Sequence, residues 1–190
     1  MQLDKKSKIF IIVFFSLILI PVIIIGLINY NKEQKFRDRI ENSKTTRTLS
    51  LNNISTEITL EELLNIETSK EYIIEDNELR YENDESKKDF TITYTNTSYF
   101  GSRCIKEYCF VDENLKRIIF TVDTSHWMPK DIYEELVKIN GDPDESKFDE
   151  KSFYLETHTW YGINGTMGYN KLNNDTIEII FELSGYGAGN

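Results

Sequence analysis

The chain has 190 residues, a formal net charge of −10, two cysteines and two histidines. From residue 61 onward 13 Lys and Arg stand against 27 Asp and Glu, which argues against a nucleic-acid or anionic-lipid surface in that part and for solubility, cations or a basic partner. Roughly 130 residues behind the N-terminal region are enough for one ordinary domain.

Residues 1–8 form a basic tail with Lys5, Lys6 and Lys8, and Ile9–Ile28 is an uncharged, almost wholly apolar run. At about 1.5 Å per residue it matches the roughly 30 Å of a bilayer core. The expectation is a single-pass transmembrane signal-anchor contacting the membrane through Ile9–Ile28, uncleaved because no small-residue pair follows it. The competing reading is a buried core helix. Lys32, Lys35, Arg37 and Arg39 balance the lysines before the run, so flanking charge does not set orientation. A domain outside the cytoplasm is expected on general signal-anchor grounds.

Residues 29–58 read as a charged and polar stalk, with 42–56 as a flexible linker poor in apolar residues. The domain is expected over 59–190. Thr59 and Glu62 form a capping-box pattern, and Leu60, Leu63 and Leu64 share one helix face. Residues 72–74 and 78–81 read as short strands around a turn. From Phe90 the apolar period becomes two, predicting strands at 90–94, 108–111 and 115–122 around an Asp112–Asn114 turn. Pro129–Ile139 is a predicted amphipathic helix, stopped by Asn140-Gly141 and Pro143. Strands follow at 153–161, 169–172 and 176–183.

A shift of 61 residues aligns Tyr99-Phe100-Gly101 with Trp160-Tyr161-Gly162, Tyr108 with Tyr169, and Ile118-Ile119-Phe120 with Ile179-Ile180-Phe181. Upstream, Glu62-Leu63-Leu64 matches Glu135-Leu136-Val137. The expected fold is α+β: behind the transmembrane helix, an antiparallel sheet with short helices on one face, built as a tandem of two helix-plus-strands repeats, 59–122 and 128–184. The second copy, MPKDIYEELVKINGDPDESKF followed by THTWYG and DTIEIIFEL, resembles the BamE/SmpA-like and beta-lactamase-inhibitor-protein-like group of small α+β domains. That resemblance implies protein binding as a style of action. No binding residue of the group matches position by position, so none is carried over, and the apolar anchor departs from the lipid or cleaved signal common in that group.

Cys104 and Cys109 would lie about 16 Å apart on one regular strand, beyond the roughly 7 Å limit of a disulfide. A bridge needs a hairpin at 105–108. The aligned Gly165–Gly168 stretch supports such a turn, so a clasped hairpin in an oxidising compartment is the expectation, against two free thiols. With only His126 and His158 besides, a structural metal site has too few ligands. Ser125-His126 near Asp123 lacks a nucleophile elbow and reads as a solvated loop, and His158 as a half-buried strand residue. The acidic loop 142–151 lacks calcium-loop spacing. No catalytic residue, cofactor or metal is expected. Trp127, Trp160, Tyr161, Tyr99 and Phe100 are candidates for a partner surface, with core packing as the alternative, favoured for Trp160. The expected function is a membrane-tethered, extracytoplasmic protein-binding domain in envelope assembly, inhibition or immunity. The alternative is a small-ligand receptor or enzyme using an acidic cleft.

Overall fold

The computed structural model describes residues 5–51, 54, 58–67, 69, 71–76, 89–125, 129–172 and 175–184, with the side chains of residues 5–16, 18, 76, 129 and 130 left aside. The chain divides into two compact units, Met1–Glu41 and Asn42–Asn190. Helix α1 (Lys5–Thr46) is 42 residues long and carries Pro21 inside it. Its charged half places Glu33 four residues before Arg37, a helix-favouring spacing, and sets the Arg39 guanidinium 5.6 Å from the Phe36 ring centroid. The last turn closes through the Thr45 and Thr46 hydroxyls, both donating to the Asn42 carbonyl.

The transmembrane expectation is corrected here. Among the described residues no helix is long and apolar enough to cross a membrane. Past Ile28, α1 continues through Asn29, Asn31, Lys32 and Glu33. The side chains of residues 9–16, the first part of the expected span, lie outside the described set.

The second unit is mostly an eight-stranded antiparallel sheet. After α2 (Leu60–Ile66) come β1 (Ile73–Asp76), β2 (Phe90–Tyr99), β3 (Ser102–Val111) and β4 (Asn114–Asp123). After α3 (Pro129–Asn140) come β5 (Glu145–Phe148), β6 (Tyr154–Gly162), β7 (Gly165–Leu172) and β8 (Thr176–Leu183). The strand order is β1-β2-β3-β4-β8-β7-β6-β5. Each half runs helix then four strands, and the halves meet antiparallel at β4 and β8. There Ile118 faces Phe181, Ile119 faces Ile180 and Phe120 faces Ile179. Under the 61-residue shift Ile119 and Ile180 are equivalent, so a local two-fold passes between them.

Register refines the internal match. Tyr108 pairs with Ile92 and Tyr169 with His158, so Ile92 and His158 are spatial twins. By the same rows Tyr94 is the twin of Trp160, and Lys106 of Met167. The 61-residue shift matched Tyr99 to Trp160 instead, because the β2–β3 hairpin runs further beyond the Tyr94–Lys106 pair than the β6–β7 hairpin does beyond Trp160–Met167, with a register shift between Tyr94 and Thr97 adding to the difference.

Local chemistry explains the elements. Thr59 caps α2, its hydroxyl accepting from the Glu62 amide while the Glu62 carboxylate accepts from the Thr59 amide. Glu62's carboxyl is held below its ordinary value by the Thr59 amide and then the Thr59 hydroxyl, both donating to it. Phe100 and Gly101 (φ 48° and 80°) turn β2 into β3, and Asp112 and Glu113 (φ 50° and 64°) turn β3 into β4, the left-handed pairs that match strand twist in two-residue hairpins. Alternate residues of β3, β4 and β8 are buried. They form one core with Leu63, Ile132 and Leu136 from the helices.

Residues 47–51, read from sequence as part of a flexible linker, are a docked strap. Leu49 and Leu51 are buried, as are Ile54 and Ile58. Asn164 accepts from the Leu49 amide and donates to the Leu49 carbonyl, while Asn140 does the same for Ser50. Ile163's amide donates to the Arg47 carbonyl. The strap comes so close that a Cβ on Gly162 would meet Leu49 Cγ at 2.7 Å and the Arg47 carbonyl oxygen at 2.8 Å. Asp144, buried, accepts from the Ser43 hydroxyl, Arg47 Nη1 and the Tyr161 amide. A few apolar side chains and two amides thus supply what the polar composition concealed.

Candidate functional site

The sheet has two unlike faces. One carries the buried residues; the other is half-exposed across the strands. On that open face Ile119 lies opposite Ile180 at the centre, and Ile105 is exposed. Around them stand Glu107, Glu178, Glu182, Arg117 and a field of threonines, including Thr91, Thr93, Thr121, Thr157 and Thr159. Arg117 lies 3.8 Å from Glu182. Tyr154 of β6 reaches across to donate to Glu178 at 3.0 Å. Glu107's carboxyl is raised, first by burial, then by the charges of Glu178 and Glu75 against the opposing Arg117. Such a face has an aliphatic centre and a charged surround, with carboxylates that repel one another until a cation approaches.

The covered face holds two polar clusters. In the first half Lys106 Nζ donates to both Glu67 oxygens at 3.0 Å and Tyr108 donates to Glu67 as well. The Lys106 and Glu67 side chains are 7% and 2% exposed, and the ammonium sits 5.3 Å from the Phe120 ring centroid. Burial and the Glu67 bond push the Tyr108 hydroxyl far above its ordinary range. In the second half His158 is buried between Ser146 Oγ, 2.8 Å from Nδ1, and Glu156 Oε1, 2.7 Å from Nε2. The tautomer with its proton on Nε2 donates to the Glu156 carboxylate and leaves Nδ1 to accept from the Ser146 hydroxyl.

Sequence-derived site residues are scattered. Cys104 and Cys109 are free thiols on the single strand β3, so the expected disulfide is corrected: no hairpin forms at 105–108, and the turn falls at Phe100-Gly101 instead. The Cys104 thiol is raised to about 12, chiefly by burial, and Cys109 Sγ accepts from the Thr91 hydroxyl at 3.7 Å. Trp160 is fully buried, donating from Nε1 to the Gly141 carbonyl. Tyr99 is buried against Phe100 and Phe120. Tyr161 is half-buried, donates to Glu145, and lies 5.6 Å from Lys44 Nζ. Its hydroxyl is pushed up to about 12 by burial and by Glu145. Trp127 and His126 lie outside the described residues. Of the four described aromatics, Tyr99 and Trp160 are buried in the core.

Of the described depressions, one is lined by Glu71, Tyr72, Ile73 and Thr95 and the other by residues including Lys44, Gly162 and Glu182; each brings in a single carboxylate. Among the described residues no three metal-ligating side chains gather. Sequence reasoning missed Ser146, His158 and Glu156 as a group, because twelve residues and a turn separate the serine from the histidine. It missed the open face because the threonines and isoleucines read only as strand formers. No family model, curated protein or solved structure matches the chain.

Proposed function

We propose that this chain is a protein-binding module that offers the open face of its sheet to a partner. The carrying observation is the Ile119–Ile180 centre with Glu107, Glu178, Glu182 and Arg117 around it. Six strands of eight to ten residues span about 24 Å by about 26 Å, on the order of 600 Å². Side-chain relief and the two edge strands bring this near the roughly 800 Å² that each partner contributes to a standard interface. The threonine-rich field supplies hydroxyls that bond adaptably, and the isoleucines supply area to desolvate.

The reading is tested by crosslinking full-length protein in its native cells and comparing wild type with Ile180→Arg and Glu134→Arg. Ile180→Arg places a charge at the centre of the face, and Glu134→Arg a charge on exposed helix surface. The expected result is a defined crosslinked protein in wild type and Glu134→Arg that is lost in folded Ile180→Arg. Equal crosslinking by all three, or none by wild type, overturns it.

A further inference from the structure

The two-fold relation supplies an internal control for the Ser146–His158–Glu156 cluster. Ile74 pairs with Ile92 in the first half as Ser146 pairs with His158 in the second. Phe90, two residues before Ile92, is likewise the twin of Glu156, each pairing with the last residue of its edge strand. An isoleucine, an isoleucine and a phenylalanine therefore build this corner of the first half, and the sheet has no need of polar groups there. The second half replaces all three at once with a hydroxyl, an imidazole and a carboxylate, joined at 2.8 and 2.7 Å. His158 is buried beneath Tyr133, whose ring centroid is 4.3 Å away. Ser146, on the edge strand, is exposed, and Glu156 is 26% exposed.

We infer that Ser146 is an activated nucleophile that takes an acyl group from an ester-class electrophile. Ser146 Oγ attacks the acyl carbon while its proton passes to His158 Nδ1. The Nε2–H, held by Glu156, leaves the resulting imidazolium facing a carboxylate at 2.7 Å. The carbon–oxygen bond to the leaving alcohol breaks, the alkoxide takes the proton from Nδ1, and Ser146 is left as an ester. The order of roles is that of a serine triad, with the two ring nitrogens exchanged. The exposed edge of β5 gives the electrophile its approach, and Tyr133 keeps the ring from rotating out of line.

The test uses full-length protein with a fluorophosphonate probe and, separately, p-nitrophenyl acetate, read by intact mass and peptide mapping. The expected adduct lies on Ser146. Ser146→Ala abolishes it, and Glu156→Gln slows it by about a hundredfold or more, the low end of what acid–base catalysis contributes. The triple variant Ser146→Ile/His158→Ile/Glu156→Phe copies the first half and is expected to fold and remain unlabelled; if it does not fold, Ser146→Ala and Glu156→Gln decide the matter. Absence of an adduct on Ser146 in wild type, an adduct whose rate ignores Glu156, or labelling spread over exposed serines overturns the inference.

Discussion

Replacing Lys106 by Met tests how the first half tolerates a buried charge pair where its twin position, Met167, is apolar. Lys106 and Glu67 are almost wholly enclosed, with nitrogen–oxygen distances of 3.0 Å. At an effective dielectric near 20 a 3 Å pair is worth about 5 kcal/mol of attraction, offset by several kcal/mol of lost hydration for each ion. The net worth of the pair is therefore small, but removal of one member is not. Lys106→Met removes both ammonium bonds to the buried Glu67 carboxylate, so a loss of about 3–5 kcal/mol is expected. Adding Glu67→Gln removes the stranded charge and keeps an acceptor for Tyr108, so the double variant returns to within about 1 kcal/mol of wild type. Urea unfolding at pH 7 reads this as a large drop in midpoint for the single variant and recovery in the double, with unchanged slope. A single variant losing under about 1 kcal/mol, or a double variant as weak as the single, refutes the reasoning.

Leu49→Ala should cost about 2–5 kcal/mol, because Leu49 is 2% exposed in the core; the same midpoint measurement checks it, and a loss under about 1 kcal/mol would mean the strap does not contribute to the core. Asn164→Asp exchanges a donor to the Leu49 carbonyl for a carboxylate, so limited proteolysis should cut near residues 47–51 sooner than in wild type; an unchanged cutting rate counts against the amide clamp. Tyr94→Phe should leave stability unchanged or raise it by about 1 kcal/mol, since the Tyr94 hydroxyl is buried with no hydrogen-bond partner among the described residues, and a clear loss would reveal an acceptor. Burial raises Tyr94 and Tyr161 to about 12 and holds Tyr99, Tyr108 and Tyr169 high as well. The unfolded chain loses those protons near pH 10 while the native state keeps them, so stability should hold below pH 10 and fall as pH rises from 10 through 12; a flat urea midpoint from pH 9 to 11 contradicts this.

Part of this molecule was legible without coordinates. The capping box at Thr59 and the α3 boundaries depend on neighbours a few residues apart, and local chemistry suffices for them. The alternation from Phe90 marked strands with one buried face. The match of Ile118-Ile119-Phe120 with Ile179-Ile180-Phe181 placed two equivalent strands at what is the centre of the sheet. The cysteines misled because the turn was placed five residues too late: Phe100 in a left-handed conformation carries no strong sequence mark.

The sequence by itself determined local order: where helices are capped, where strands alternate, and that a four-strand pattern occurs twice. Tertiary structure decided what those elements meet. It folded residues 47–51 onto Asn140 and Asn164, about 90 and 115 positions away. It buried Lys106 against Glu67 across 39 positions, and it set Ser146 beside His158 where the other half has two isoleucines. Hydrogen bonds and apolar contacts act over a few ångströms whatever the separation along the chain. Sequence periodicity reports the face a residue occupies, and only the register of the strands reports its neighbour.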